Sequence, residues 1–106
     1  MDKDGIVLVC TESNRRIVYN CCSFKEILKG IMIKYANKTY SEAESIMAVH
    51  SDFFIIKSYD AACLVFHELE YHWAMLWACG EGYWNNGYSY PPPDGYDEWE
   101  LEYRRN

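Results

Sequence analysis

The stretch of sequence that most constrains the fold runs from Asp60 to Cys79 and is almost entirely apolar. Its apolar side chains recur at spacings of three, four or seven residues, which place them on one face of an α-helix. A few polar residues interrupt the run, all of them near its middle. We therefore predict a long, buried central helix over residues 60–80, against which the other elements pack. The predicted core stripe consists of Ala62, Val65, Phe66, Leu69, Trp73 and Leu76.

This helix is long enough to cross a bilayer, but the two glutamates near its middle favour a protein core instead. A charged side chain at the centre of a membrane span costs a few kcal/mol. No apolar run follows a basic start at the N-terminus, so no signal peptide is predicted. The five cysteines are odd in number and form no CxxC pair, which argues against a disulfide framework or a zinc ribbon. We predict a cytoplasmic protein with no membrane contact.

Residues 5–21 carry the pattern of a β-hairpin. Two segments rich in Val and Ile flank Ser13 and Asn14, which are residue types that form turns. An isolated two-stranded hairpin is marginally stable in water, so this one must pack against the helices or gain a further strand.

Two capping boxes mark the starts of two helices that follow the hairpin. In a capping box, a Ser or Thr hydroxyl accepts a hydrogen bond from the third helical N–H. A Glu side chain three residues after the Ser or Thr accepts in turn from the backbone N–H of that Ser or Thr. The boxes Ser23–Glu26 and Thr39–Glu42 predict helices over residues 24–36 and 40–50. Gly30 lies inside the first helix, where it should cost about 1 kcal/mol relative to alanine.

The complete prediction is a single-domain α+β fold, with the hairpin packed on three to four helices. Residues 53–57 are a short apolar run that fits either a third strand or a packed connector. Ser58 or Asp60 can cap the central helix. Residues 81–106 form an acidic, aromatic segment in which three consecutive prolines prevent helix formation, and a last short helix can follow Asp94.

Charge is distributed unevenly along the chain, whose net charge is −6. Residues 1–40 contain seven Lys/Arg and four Asp/Glu, a balance of +3, whereas residues 41–106 contain three and twelve, a balance of −9. The acidic part also contains all four tryptophans. An acidic, aromatic surface repels nucleic acid and attracts basic protein surfaces. We therefore expect no direct binding to nucleic acid.

The C-terminal segment is the first candidate site, for binding a partner protein. Tyr and Trp supply much of the binding energy at interfaces, and surrounding carboxylates speed association with a basic partner. The same rings could instead wrap back and complete the chain's own core, and this alternative stays open. The predicted partner-binding residues are Tyr83, Trp84, Tyr88, Tyr90, Asp94, Tyr96, Asp97, Glu98, Trp99, Glu100 and Glu102.

A second candidate site is the polar group in the central helix, His67, Glu68, Glu70 and His72. At first sight it resembles the HExxH motif of zinc proteases, which needs two histidines four residues apart. Here the histidines are five residues apart, about 140° around a helix axis, so no metal site is predicted. Glu68 and His72 are four residues apart and can form an ion pair or an acid/base couple.

No motif in the sequence indicates a catalytic residue or a cofactor. In composition, the chain is similar to immunity proteins of bacterial toxins and to phage-encoded inhibitors of host defence, such as anti-CRISPR-like inhibitors. The resulting hypothesis is a non-enzymatic inhibitor that binds a basic protein, such as a nuclease or another nucleic-acid-binding effector, and occludes its nucleic-acid groove. Two alternatives stay open: a small enzyme or ligand-binding domain that uses Glu68 and His72, and a homo-oligomeric structural subunit.

Overall fold

The computed structural model describes residues 4–89 and 91–105, without the side chain of Arg105. Over this part of the chain it is an α+β fold, in which an antiparallel hairpin precedes five α-helices. The predicted fold class and the N-terminal hairpin are therefore confirmed. The elements are β1 (Ile6–Val9), β2 (Arg16–Tyr19), α1 (Cys21–Tyr35), α2 (Tyr40–Val49), α3 (Tyr59–Phe66), α4 (Glu70–Cys79) and α5 (Tyr96–Arg105), with short 3-10 turns at Ser51–Phe54 and Tyr83–Asn86.

The hairpin pairs β1 with β2 in a register that gives it one buried and one exposed face. Leu8 pairs with Ile17, and Tyr19 lies on the same face, which packs against α3. Val7 pairs with Val18 on the opposite face, and both of these side chains are about half exposed. The hairpin is therefore held to the rest of the protein by one face.

The core is organised around α1, which contacts α2, α4 and α5. The side chains of Leu28, Ile31 and Met32 on α1 are completely buried. Ala74 and Met75 on α4 are also completely buried. Close packing of α1 against α4 thus forms the centre of the protein, and α5 is positioned on its outside.

The single central helix predicted over residues 60–80 is wrong, because two helices, α3 and α4, occupy this range. The chain turns at Leu69, whose backbone is extended (φ −71°, ψ 150°). The cause is tertiary: α3 packs against the hairpin whereas α4 packs against α1 and α2, and one straight helix could not do both. Nε1 of Trp73 donates to the carbonyl oxygen of Val65 (2.9 Å), which satisfies a carbonyl group near the end of α3.

The break also divides the predicted core stripe. Ala62 is completely buried, but Phe66 is 38% exposed, and Leu69, which lies in the turn, is 55% exposed. The other three stripe residues are partly buried against the core. Within the described residues, no helix combines the length and the apolar character that a membrane crossing requires.

Local capping signals correctly place the starts of α2 and α3. At α2, Thr39 Oγ1 accepts from the N–H of Glu42 (3.1 Å), and a Glu42 carboxylate oxygen accepts from the N–H of Thr39 (2.8 Å). At α3, the Ser58 hydroxyl accepts from the N–H of Ala61 (3.1 Å). Residues 53–57 between these helices form a connector, not a third strand, since their first two residues belong to a 3-10 turn.

The capping box predicted at Ser23 does not form. Helix α1 begins at Cys21, so Ser23 already lies within its first turn. Ser23 instead binds Asp4, whose carboxylate accepts from both the N–H (3.0 Å) and the hydroxyl (2.5 Å) of Ser23. The carboxylate that binds the start of α1 therefore belongs to Asp4, which precedes the hairpin. No local motif predicts this long-range contact.

These hydrogen bonds predict a stability contribution that depends on pH. The Ser23 hydroxyl, and next its N–H, hold the pKa of the Asp4 carboxyl below its ordinary value. The ionised Asp4 carboxylate therefore stabilises the folded chain at pH values above the ordinary carboxyl pKa. This stabilisation is lost as the pH falls through the lowered pKa of the folded state. We expect Asp4→Ala to melt at a lower temperature than wild type at neutral pH, with a difference that disappears in acid. Thermal unfolding followed by circular dichroism measures this, and a pH-independent difference would contradict it.

Candidate protein-interaction surface

Helix α5 is anchored to α1 by aromatic rings on its inner face. The ring of Tyr35 on α1 lies 5.8 Å from that of Tyr96 and 5.5 Å from that of Trp99, measured between centroids. Trp99 in turn contacts Tyr103 (5.1 Å), whose hydroxyl donates to the carbonyl oxygen of Glu26 (3.2 Å). Contacts at three positions, spread over about two turns of α5, thus hold this helix against α1.

Gly30 is the position on α1 that lets Tyr103 come this close. A Cβ atom at Gly30 would lie 2.7 Å from Cζ of Tyr103, well inside the separation of packed carbon atoms. The ring therefore occupies the space that a side chain at position 30 would need. From the sequence alone, Gly30 is a residue that destabilises a helix. In the structure, its missing side chain leaves the space in which Tyr103 of the C-terminal helix packs.

Glu100, one of the predicted partner-binding residues, is engaged within the chain. It accepts a hydrogen bond from the Tyr96 hydroxyl (2.7 Å) and lies 3.5 Å from Nε of Arg104. Nη2 of Arg104 also lies 3.3 Å from a carboxylate oxygen of Glu70 on α4. Burial, together with the bond to Glu100, raises the pKa of the Tyr96 phenol far above its ordinary value, so Tyr96 remains a neutral donor. These contacts fix α5 against α4.

Tyr83 and Tyr96, both predicted to contact a partner, belong to the core. Their side chains are 0% and 4% exposed. Both rings pack edge-on against the ring of Tyr71, with centroid distances of 6.5 and 5.5 Å. The prediction is corrected at these two positions, because a ring that does not reach solvent cannot contact a partner of the folded chain.

The other predicted aromatic residues are mostly turned inward. Tyr88 and Trp99 are partly buried and pack against the core, and Tyr90 lies outside the described residues. Trp84 is more exposed, at 44%, and its ring rests on that of Tyr83 (5.1 Å). The aromatic residues of this segment therefore serve mainly to fix it to the core.

The outer face of α5 carries Asp97, Glu98 and Glu102, and Asp94 is exposed just before the helix begins. Leu101 lies among them and is 58% exposed, because it is about 140° around the helix axis from the buried Tyr96. Sequence reasoning missed Leu101, since a leucine in a helix usually indicates the core; its position relative to Tyr96 is the signal that could have found it. The exposed residues of this surface, which we call the acidic face, are Asp94, Asp97, Glu98, Leu101 and Glu102.

The residues of the second candidate site lie in different surroundings. His67 is exposed at the end of α3, and Glu68 lies in the turn that follows. Glu70 forms the ion pair with α5 described above, and Nδ1 of His72 lies 3.1 Å from the hydroxyl oxygen of Tyr83. The predicted pairing of Glu68 with His72 assumed a continuous helix, and the break removes that basis. Across residues 4–89 and 91–105, no group of three or more His, Cys, Asp or Glu is placed to hold a metal ion.

Comparison of this chain with protein-family models, curated proteins and solved structures finds no match. Of the two candidate sites, the acidic face is the one whose residues lie together on one surface.

Proposed function

We propose that this protein binds a basic protein through the acidic face of α5. The observation that supports this most strongly is the two-sided construction of the helix. Aromatic rings fix its inner face, and its outer face displays carboxylates around an exposed leucine. Residues 94–105 contain five acidic residues and two arginines, and the first of these, Arg104, contacts Glu70 and Glu100. It is therefore engaged with the inward carboxylates.

Anchoring α5 in the core prepares the acidic face for binding. A surface that is already rigid loses little conformational entropy when a partner docks, which improves affinity. The carboxylates raise the rate of encounter with a basic partner. Leu101 supplies an apolar contact among the charged residues, so the face has the layout of an interface with an apolar centre and a polar rim.

A nucleic-acid-binding effector, such as a nuclease, is the class of partner that this charge pattern fits. The groove of such a protein is basic because it binds phosphate groups, and acidic side chains compete for the same positions. Occluding a groove needs no catalytic chemistry in this chain. The proposed role is therefore a non-enzymatic inhibitor, as in toxin immunity proteins and anti-defence inhibitors.

A pair of charge-reversal variants tests this proposal. Asp97→Lys/Glu98→Lys reverses two charges on the acidic face, and Glu12→Lys/Asp52→Lys makes the same change at exposed positions in the hairpin turn and a 3-10 turn. We expect immobilised wild type to retain a basic protein from a lysate of cells that express it natively. The first variant should retain at least about tenfold less of it, and the second should retain it as wild type does. Quantitative mass spectrometry of the retained proteins measures the difference.

Melting temperatures show whether the variants keep their fold. Acidic residues in the first turn of a helix stabilise it by about 0.3–1 kcal/mol each, so a small decrease is expected for Asp97→Lys/Glu98→Lys. Equal retention by wild type and this variant would contradict the proposal. An acidic protein as the specifically retained partner would contradict it as well.

A further inference from the structure

The outer edge of β1 has backbone groups that the hairpin does not use. The N–H of Cys10 donates to the carbonyl oxygen of Arg15 (2.8 Å), so these two residues form a hydrogen-bonded pair. Such pairs alternate with non-hydrogen-bonded pairs along an antiparallel ladder, so the N–H and C=O groups of Val7 and Val9 point away from β2. Within the part of the chain that the structure describes, no other backbone or side-chain group bonds to them.

A groove of about 560 Å³ runs beside this edge. One wall is formed by residues 7–12 of β1 and the hairpin turn, and the other by residues 57–60, which lead into α3. Of the described residues, none from β2 lines the groove, so it lies on the outer side of β1. Its volume is within the range of about 300–1,000 Å³ that is usual for ligand sites.

The strand β1 lacks the devices that usually protect an edge strand. Natural edges carry proline, lysine or a bulge, or are covered by another segment. β1 reads Ile-Val-Leu-Val and pairs with β2 without a bulge. Its side chains Val7 and Val9 are 53% and 44% exposed. An apolar edge strand beside a groove is the arrangement that accepts an extended peptide as an additional strand.

The second wall of the groove follows β1 from its start. The hydroxyl of Tyr19, which pairs with Ile6 at the start of β1, donates to the carbonyl oxygen of Phe54 (2.8 Å). Tyr19 and Phe54 are both buried, so this contact lies on the inner face of the hairpin. The chain then continues through residues 55–60 along that face, in the same direction as β1.

The charged residues that line the groove are Glu12, Lys57 and Asp60. Hydrogen bonds from Ser13 lower the pKa of the Cys10 thiol, and the nearby Asp60 carboxylate acts in the opposite direction, so Asp60 lies at the Cys10 end. Glu12 belongs to the adjacent turn, whereas Lys57 lies three residues earlier, beside the middle of β1. None of the three forms an ion pair with another described residue. The groove is therefore acidic at the hairpin turn and basic along its middle.

We propose that an extended segment of a partner protein adds to β1 as an antiparallel strand, with a basic residue at the hairpin turn and an acidic residue two positions later. Residues directly opposite each other in an antiparallel pair lie on the same face of the sheet. The partner residues opposite Cys10 and Leu8 therefore point toward the second wall, where they meet Asp60 and Lys57. The residues after each of them lie opposite the two exposed valines of β1 and exchange backbone hydrogen bonds with them.

Fluorescence anisotropy of a labelled peptide with the sequence Lys-Val-Glu-Val tests this proposal. We expect it to bind the full chain with a dissociation constant of about 100 μM or below. Glu-Val-Lys-Val has the same composition with its charges exchanged. Lys-Pro-Glu-Pro keeps the charges but lacks the N–H groups that pair with β1. Each of these two control peptides should bind at least about tenfold more weakly.

Two variants of the chain complete the test. Lys57→Glu/Asp60→Lys exchanges the charges of the groove and should lose or reverse the preference for Lys-Val-Glu-Val over Glu-Val-Lys-Val, and circular dichroism shows whether it is folded. Asp97→Lys/Glu98→Lys changes the acidic face and should bind Lys-Val-Glu-Val as wild type does, because the groove is a separate surface.

Three outcomes would overturn the proposal. The first is a wild type that does not bind Lys-Val-Glu-Val, and the second is equal binding of the three peptides. The third is an unchanged preference in a folded Lys57→Glu/Asp60→Lys variant. None of these outcomes alters the result expected in the lysate experiment, which tests the acidic face.

Discussion

Gly30→Ala is expected to destabilise the protein by about 1–3 kcal/mol, the usual cost of forcing extra atoms into a packed core. Helix propensity alone predicts the opposite sign, because alanine inside a helix is better than glycine by about 1 kcal/mol. The contact with Tyr103 decides between them: the new Cβ would lie 2.7 Å from its Cζ atom, and moving the ring aside breaks its hydrogen bond to Glu26 and its contact with Trp99. Denaturant unfolding followed by far-ultraviolet circular dichroism measures the change.

Two further variants show whether this clash is the cause. In a Tyr103→Ala background, Gly30→Ala should be neutral or stabilising because the ring is gone, and the double-mutant cycle gives the coupling between the two positions. Ala48→Gly, at an exposed position in the last turn of α2, is the control for propensity and should cost at most about 1 kcal/mol. A Gly30→Ala protein that is more stable than wild type would contradict the close approach of Tyr103.

Phe24→Ala should cost about 3–5 kcal/mol, the range for removing a buried phenylalanine. The side chain of Phe24 is 5% exposed. Its ring centroid lies 6.4 Å from that of Tyr19 in β2, 5.5 Å from that of Phe54 and 5.4 Å from that of Phe66 in α3. Truncation leaves a cavity bordered by three elements, and the hairpin, which is held by one face, loses much of its support.

Chemical denaturation of Phe24→Ala and Phe24→Leu gives the size of this effect. Leucine restores much of the lost volume, so Phe24→Leu should cost clearly less than Phe24→Ala. Val49→Ala, at a position 80% exposed, is the surface control and should change the free energy of unfolding by less than about 0.5 kcal/mol. A cost below about 1 kcal/mol for Phe24→Ala would show that this ring cluster does not hold the hairpin.

The elements set by local chemistry were predictable from the sequence. The capping box of Thr39 and Glu42 and the cap at Ser58 rely on hydrogen bonds within three residues, so their geometry is encoded where the residues occur. The turn at Ser13 and Asn14 is similar, and Asn14 has the positive φ (61°) that asparagine tolerates. These short-range signals were sufficient for the hairpin and for α2.

The break at Leu69 was not predictable in this way. Leu69 continues the apolar spacing of the preceding helix, so periodicity alone favours one uninterrupted element. The helix ends there because its two halves have different neighbours, the hairpin for α3 and the helices α1 and α2 for α4. Hydrophobic periodicity reports that a residue is apolar but does not identify what it packs against.

The acidic face was predictable in part. Its negative charge is visible in the sequence, but the direction that each ring of α5 takes depends on how the helix is rotated against α1. That rotation is set by Gly30 and Tyr35, which are far away in the chain. Charge could therefore be assigned to the surface before the structure was known. Helical spacing places Tyr96 and Leu101 on different sides of α5, but it does not show which of the two sides packs against α1.

The association rate constant of the captured basic partner, measured against salt concentration, tests the acidic face most directly. Because exposed charges are screened by salt, the wild-type rate constant should fall at least about tenfold between low salt and about 0.5 M salt. Asp97→Lys/Glu98→Lys should associate slowly at low salt and respond little to added salt. A wild-type rate constant that is independent of salt and equal to that of the variant would contradict binding through this surface.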